Sequence, residues 1–406
     1  MGYDETGRFA PAETASGVPA AVLENVFDDP SHGEPGRDRI AVHVVWEILL
    51  LAALAVVAWL LWREDSDTLR GAALKTLLVD VVGLGLLALA AGLSLRAAAV
   101  NLAIGPVAVA AALHFAEQGD RGVQEALLPA LGVAAAGGLA LGLVVVVLHV
   151  PGWAASLAGA AGVIVYIERR TGPVAVQGGH DPRSTALYLF VGFAAVAVLG
   201  GLFGAIKPVR RLVGRFRPVG DPARRRGAAA ATVTALALVG STVLAMLGGV
   251  LMAANSTDPV IPGSGLDWSV LAVGAALLAG TSAYGRRGGI FGTLLAVVLV
   301  EVFLTWATAR GWTVSRWAVG GATLGVGLLA TRLVEALGRP RPSGPPAVEA
   351  GPPGDGSMSS GWTMTPRPES TDTWPSVLPV RTTDTSVDTW DTPRWETGRR
   401  WESEER

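Results

Sequence analysis

From Ile40 onward the sequence returns repeatedly to unbroken apolar stretches of about 20 residues. That is the length a helix rising 1.5 Å per residue needs to cross a hydrocarbon core about 30 Å thick. In lipid every backbone N–H and C=O must find its partner within the protein, so only helices and closed barrels span a membrane. These stretches are too long and too evenly apolar for the alternating strands of a barrel. The expected fold is all-α, a polytopic membrane helix bundle of about ten transmembrane helices. The spans are Ile40 to Trp62, Ala72 to Leu95, Ala97 to Phe115, Gln124 to His149, Trp153 to Ile167, Ser184 to Ile206, Ala228 to Ala254, Trp268 to Tyr284, Ile290 to Thr308 and Trp317 to Leu337. The fifth is short, follows Pro151-Gly152 and stops at Glu168-Arg169-Arg170, so it reads either as a crossing or as a re-entrant segment.

Composition agrees with this reading. Half of the 406 residues are apolar and 16% are charged, against roughly 25% charged in soluble domains. A formal charge of −2 argues against a nucleic-acid partner, which calls for a strongly basic domain. The absence of Cys excludes disulfides and thiolate chemistry.

Loop charges set the topology, because Lys and Arg accumulate on the cytoplasmic side of short loops. The sixth loop, KPVRRLVGRFRPVGDPARRRG, holds Lys207, Arg210, Arg211, Arg215, Arg217, Arg224, Arg225 and Arg226, whereas the seventh, NSTDPVIPGSGLD, holds no basic residue. This predicts both termini inside and a multi-pass protein of the plasma membrane. Arg169, Arg170 and Arg183 fall on the outer side and dissent. Residues 1–39 and 339–406 are rich in Pro, Gly, Ser, Thr and charge, and are expected to be disordered cytoplasmic tails flanking a membrane domain at 40–338. The second tail carries Trp362, Trp374, Trp390, Trp395 and Trp401, which suit an inert solvated tail or a short docking motif.

No enzyme signature emerges. Lys75 and Lys207 are the only lysines and neither follows Gly, so a Walker phosphate loop is absent. The five His residues are scattered, and neither a metal site nor a cofactor is expected. Ionisable groups within lipid cost about 2.5 to 3.5 kcal/mol on insertion scales and tend to face a bundle interior or an aqueous path. Four qualify: Glu47, Lys75, Asp80 and Glu301. Lys75 can snorkel, Asp80 can make an interhelical hydrogen bond, and Asp80 or Glu301 can alternatively line a path. Small-residue runs such as Gly83-Leu-Gly85, Ala134 to Gly138, Gly201 to Gly204 and Gly320 to Gly325 suit close helix packing.

Three segments carry more information. In NLAIGPVAVAAAL, Asn101 precedes a Gly105-Pro106 break, read either as a kink or as an opened backbone in the membrane. Between spans eight and nine, Gly280-Thr281-Ser282 and Gly285 to Gly289 form a polar interruption. In the sixth loop, Gly220 to Gly227 can form a short helix with Pro222 at its first position, or remain a topogenic loop on anionic headgroups.

Together these segments resemble the permease subunit of the monosaccharide (ribose/xylose/galactose-type) ABC importer family. AGTSAYGRRGGIFGTLL at Ala279 to Leu295, preceded by GSGLDW, is similar to that family's closing Gly-Gly-Thr-Ser, Phe-Gly-Gly-Arg-Gly, Gly-Thr-Leu-Leu-Gly run. NLAIG at Asn101 to Gly105 resembles its Asp-Leu-Ser-Val-Gly, and His149 to Val174 its Val-Pro-Pro-Phe and Thr-Gly-Gly segment. The likeness spans roughly Ala72 to Leu337. Asn101 stands where the family has an acid, which is also similar to nucleoside-type permeases, and three Arg interrupt the coupling pattern after Ala223.

The resemblance implies a non-enzymatic transport subunit, paired with itself or a related permease in the lipid bilayer. It would be served by an extracytoplasmic solute-binding protein and driven by cytoplasmic ATP-binding subunits. The path would be lined by Asp80, Asn101, Gly105, Gly280, Thr281, Ser282 and Glu301. The ATPase would be engaged by Gly220, Asp221, Arg224, Arg225 and Gly227. The rivals are a nucleoside- or branched-chain-amino-acid-type ABC permease, an ion-coupled secondary transporter, and a scaffold acting through its Trp-bearing tail. Secondary carriers usually show inverted repeats, and no repeat is visible in the sequence.

Overall fold

The computed structural model describes residues 40–206, 228–283 and 289–338. Those residues are all-helical. Ten α-helices run in the order α1 (Ile40–Glu64), α2 (Gly71–Arg96), α3 (Ile104–Gln118), α4 (Val123–Val147), α5 (Gly152–Ile167), α6 (Ala186–Ala205), α7 (Ala228–Asn255), α8 (Leu266–Leu278), α9 (Gly292–Ala309) and α10 (Arg316–Gly338). Between them lies one isolated antiparallel bridge, Val174 to Val260. Six helices are long and apolar enough to cross a membrane: α1, α2, α4, α6, α7 and α9. The two tails and the Arg-rich segment lie outside the described residues.

Two expected spans are shorter than their apolar runs. The third was expected from Ala97, but α3 starts at Ile104 and has 15 residues. The eighth was expected to reach Tyr284, but α8 covers 13 residues and ends at Leu278. Local backbone chemistry explains both. After Arg96 the chain turns at Ala98, whose φ is +54°. The Ala98 and Ala99 amides then close back onto Leu95 and Ser94 carbonyls, the paired bonds of a Schellman stop. Gly280, with φ +90°, ends α8 in the same way: its amide and that of Thr281 bond to Leu277 and Ala276 carbonyls. Pro106 produces no break, because it stands in the first turn of α3, where an amide has no partner to lose.

The core is built on α2 and α7, which run antiparallel. Asn255 meets Asp80 near one end of the bundle, and further along Leu93 lies against Gly240. Several of the other contacts repeat with opposite sense. Helix α3 packs on α7 and α5, while α8 packs on α2 and α10; likewise α4 packs on α7 and α9 on α2. The unit α2–α5 therefore recurs, inverted, as α7–α10, a repeat invisible in the sequence.

Small residues bring the helices together, since lipid supplies no apolar driving force between them. A β-carbon on Gly138 would come within 2.6 Å of the Val239 Cα, and one on Gly142 within 2.7 Å of the Ala235 Cα. Helix α1 lies outside this core, packed mainly on α9.

Candidate functional site

The loops before α3 and α8 both dip into the bundle. Asn101 sits beside Ser241, midway along the 28-residue α7. Gly105, in the first turn of α3, lies directly on Gly265, the residue preceding α8. A β-carbon at Gly105 would collide with the Gly265 carbonyl and come within 2.7 Å of the Ser269 amide, and Gly265 itself has φ +69°. Two half-length helices therefore begin at one point inside the protein, one from each inverted half.

Serine hydroxyls satisfy the backbone there. Ser269 Oγ accepts from the Gly105 amide at 2.9 Å and donates to the Leu102 carbonyl at 2.8 Å. Ser156 Oγ accepts from the Leu102 amide and donates to the Val100 carbonyl, both at 3.0 Å. Asn101 is fully buried: its Oδ1 accepts from the Ala103 amide and its Nδ2 donates to Ser241 Oγ, each at 3.0 Å. Such an unpaired buried group would cost about 1 to 3 kcal/mol, so the network holds the non-helical 97–103 segment in place. Asn101 and Gly105, expected to line a path, are buried here, Asn101 within this network and Gly105 against Gly265.

The other expected path residues divide into two places. Gly280, Thr281 and Ser282 form the buried stop of α8, at the bundle end where α1 begins. Asp80 and Glu301 lie on α2 and α9, two helices that pack against each other. Asp80 Oδ1 accepts from Asn255 Nδ2 at 2.7 Å, and the same nitrogen donates to the Thr76 carbonyl at 3.0 Å. Lys75 is exposed, in keeping with a snorkelling side chain. The coupling residues Gly220, Asp221, Arg224, Arg225 and Gly227 lie outside the described residues. Among the described residues no three His, Cys, Asp or Glu side chains converge on a metal position.

A scan against protein-family models matches none, and searches of the curated proteins and of the solved structures return no match. The site therefore stands on its own geometry.

Several of its residues escape a sequence reading. Ser94, Ser156, Ser241 and Ser269 are single hydroxyls in apolar runs, indistinguishable from ordinary helix-packing serines. Asn255 was read only as the first residue of the seventh loop, and its partner on α2 was not legible. The dissenting Arg170 is also explained. It forks onto Glu117 at the end of α3, with bonds of 2.7 and 2.8 Å, and stacks on Tyr166. The two ends of α5 thus lie beside opposite ends of α3, because Ser156 near its start bonds to Leu102.

Proposed function

We propose that the chain is the membrane-spanning permease subunit of an ATP-binding-cassette importer of the plasma membrane. Its solute is monosaccharide-like, and two permease chains, identical or related, share the path. Separate cytoplasmic ATPase subunits supply the energy and an extracytoplasmic binding protein delivers the solute.

The observation that carries this reading is the position of α7. It begins at Ala228, directly after the Arg-rich 207–227 segment, and packs against α2, α3 and α4. Through Ser241 it also holds Asn101, and with it the loop that starts α3. A displacement applied at 207–227 acts on α7 and so reaches the crossing of the two short helices, where Gly105 and Gly265 touch. Ile40, Ala205, Ala228 and Gly338 lie at one end of the bundle. Loop charge argues that this end is the cytoplasmic one, the side on which an ATPase would meet the 207–227 segment.

One observation favours a second reading, an ion-coupled secondary carrier: paired short helices in inverted halves are a hallmark of such carriers. Uptake into proteoliposomes separates the two. The importer reading expects uptake only with ATP, ATPase subunits and binding protein all present, and the binding protein's ligand then names the solute class, sugar, nucleoside or branched-chain amino acid. Gradient-driven uptake by the lone chain would overturn it. The coupling assignment is tested by reversing charge at Arg224 and Arg225 together: ATPase capture should fall sharply, and unchanged capture refutes the contact.

A further inference from the structure

We propose that residues 172–179, within the connection from α5 to α6, form a hinged flap over the ends of α3 and α7, and that this flap opens as one unit to uncover the last turn of α7. This goes beyond the importer reading and stands whether or not that reading holds.

The path of the connection is dictated by its two anchors. On one side Arg170 forks onto Glu117 at the end of α3. On the other, the 3-10 turn Pro182–Thr185 packs on α2 and α7, with Pro182 buried. The chain between them must pass over the bundle end opposite Ala228. Along that passage Gly172, Val174 and Val176 are partly buried, whereas Thr171, Pro173, Ala175 and Gln177 are exposed, the period of two that gives a segment one covered face. Val176, with Val260 of the α7–α8 connection, lies on a cluster that includes Phe115, Met246, Val250, Ala253 and Ala254.

The flap is fastened at separate points. Val174 and Val260 exchange backbone bonds of 2.9 and 2.8 Å in an isolated bridge, and the Gln177 amide donates to the Ala116 carbonyl at 2.9 Å. That carbonyl is among the last four of α3, which no amide of the helix itself can serve, so Gln177 caps α3 only while the flap is down.

Glycines bound it on both sides. A β-carbon on Gly172 or Gly179 would meet none of the described residues within 4 Å, and Gly178, whose φ is +88°, lies directly on the Gly119 backbone. Residues 177–181 are all exposed. A segment with few buried apolar contacts and scattered backbone bonds opens far below the free energy of global unfolding. Both fastenings hold one short span between the same two hinges, so release of either frees the other. The covered end is also imperfectly satisfied: Asn255, next to Ala254, is buried, and its Oδ1 has no hydrogen-bond partner among the described residues. Water admitted there would serve it.

The test uses the purified full-length chain in detergent, with backbone hydrogen exchange resolved at Val174, Gln177 and Val260. In the wild type these amides should share one protection factor, about 100-fold or more below that of amides at the centre of α7. Gly178→Ala, whose methyl meets the Gly119 carbonyl, should lower all three about ten-fold and leave α7 unchanged. Val174→Cys with Val260→Cys, in a chain without other Cys, sets two Cα atoms about 5.5 Å apart, within disulfide reach. Oxidation of that pair should slow exchange at Gln177 about ten-fold, and a reductant should restore it. Uncovering is read separately: Ala254, 8% exposed, replaced by Cys should react with a hydrophilic maleimide, and faster when Gly178→Ala is added. Protection at the three amides equal to that of central α7 overturns the flap, and a Gln177 rate indifferent to the disulfide overturns its opening as a unit. A maleimide reaction that is absent, or no faster with Gly178→Ala, overturns the uncovering. The Cys pair and Gly178→Ala probe the same motion independently, so the test remains decisive if one fails to fold. No arm measures transport, so failure of the importer reading leaves this result intact.

Discussion

Glu47 Oε1 accepts hydrogen bonds from the backbone amides of Phe291, at 2.6 Å, and Gly292, at 3.0 Å. An acid in the lipid-facing α1 therefore serves as the N-terminal cap of α9, where unpaired amides and the helix dipole favour negative charge. Beside it, Trp46 Nε1 donates to the Leu278 carbonyl at 2.8 Å, and at the far end Arg310 pairs with Glu64. These polar latches fasten a helix that otherwise has little buried surface.

Replacing Glu47 by Gln or Ala should lower stability by about 1 to 2 kcal/mol, the usual worth of a cap, with Ala the more damaging. Thermal unfolding in detergent measures this. Proteolysis after α1 should become faster in the same variants if α1 is the element released.

Gly105→Ala should destabilise by at least about 1 to 3 kcal/mol, because the added methyl meets backbone atoms of Gly265 and Ser269 that cannot rotate away. Gly132→Ala, where an added methyl meets open space, is the matched control and should be near neutral. Comparable melting temperatures for the two variants would show that the helix starts do not touch.

Asn101 and Ser241 should be energetically coupled. In a double-mutant cycle with Asn101→Ala and Ser241→Ala, the double variant should lose less than the sum of the singles, by about 0.5 to 2 kcal/mol. Additive losses in detergent unfolding would dissolve the proposed link between α7 and the loop before α3.

Ala98→Gly should raise stability, by up to about 1 kcal/mol. Ala98 occupies a left-handed position at the end of α2, where a β-carbon is penalised and Gly is favoured. The gain is reduced by the greater freedom Gly has in the unfolded chain. A higher melting temperature checks it, and a lower one would mean that packing of the methyl outweighs the backbone strain.

The pH response of the loop end follows from Glu117. The Arg170 fork holds its carboxyl below the ordinary value of 4.5, against a smaller opposing effect of burial. A lowered folded pKa means that stabilisation is fully present above the unfolded value and is lost as pH falls through the folded one. Wild-type stability should therefore decline as pH falls below the ordinary value of 4.5, and Glu117→Gln should flatten part of that decline in unfolding measured across the acid range.

Much of the fold was legible in residues 40–338. Apolar runs located all ten helices of the described residues, and the Arg cluster at 207–226 marked the segment between α6 and α7. The starts of α3 and α8 were harder. Ala97 to Val100 are as apolar as the helix they precede, and hydropathy does not register the reversal at Ala98. The Gly-Thr-Ser run after α8 was read as a polar interruption; its Gly280 and Thr281 amides act as a helix stop, a role set by backbone geometry. Asn101 stood out as a polar residue in an apolar run, and Glu47 did so too, but nothing in either segment names Ser241 or Gly292.

By itself, the sequence determined that this is a helical protein suited to a membrane, because about 20 consecutive apolar residues can satisfy their backbone in lipid only as helices. Tertiary structure alone decided which polar groups meet. Asn101 finds Ser241 across 140 residues, and Asp80 finds Asn255 across 175. Those pairings exist because α2 and α7 pack antiparallel at the centre, and that packing depends on the shapes of all the helices around them, which no local pattern encodes.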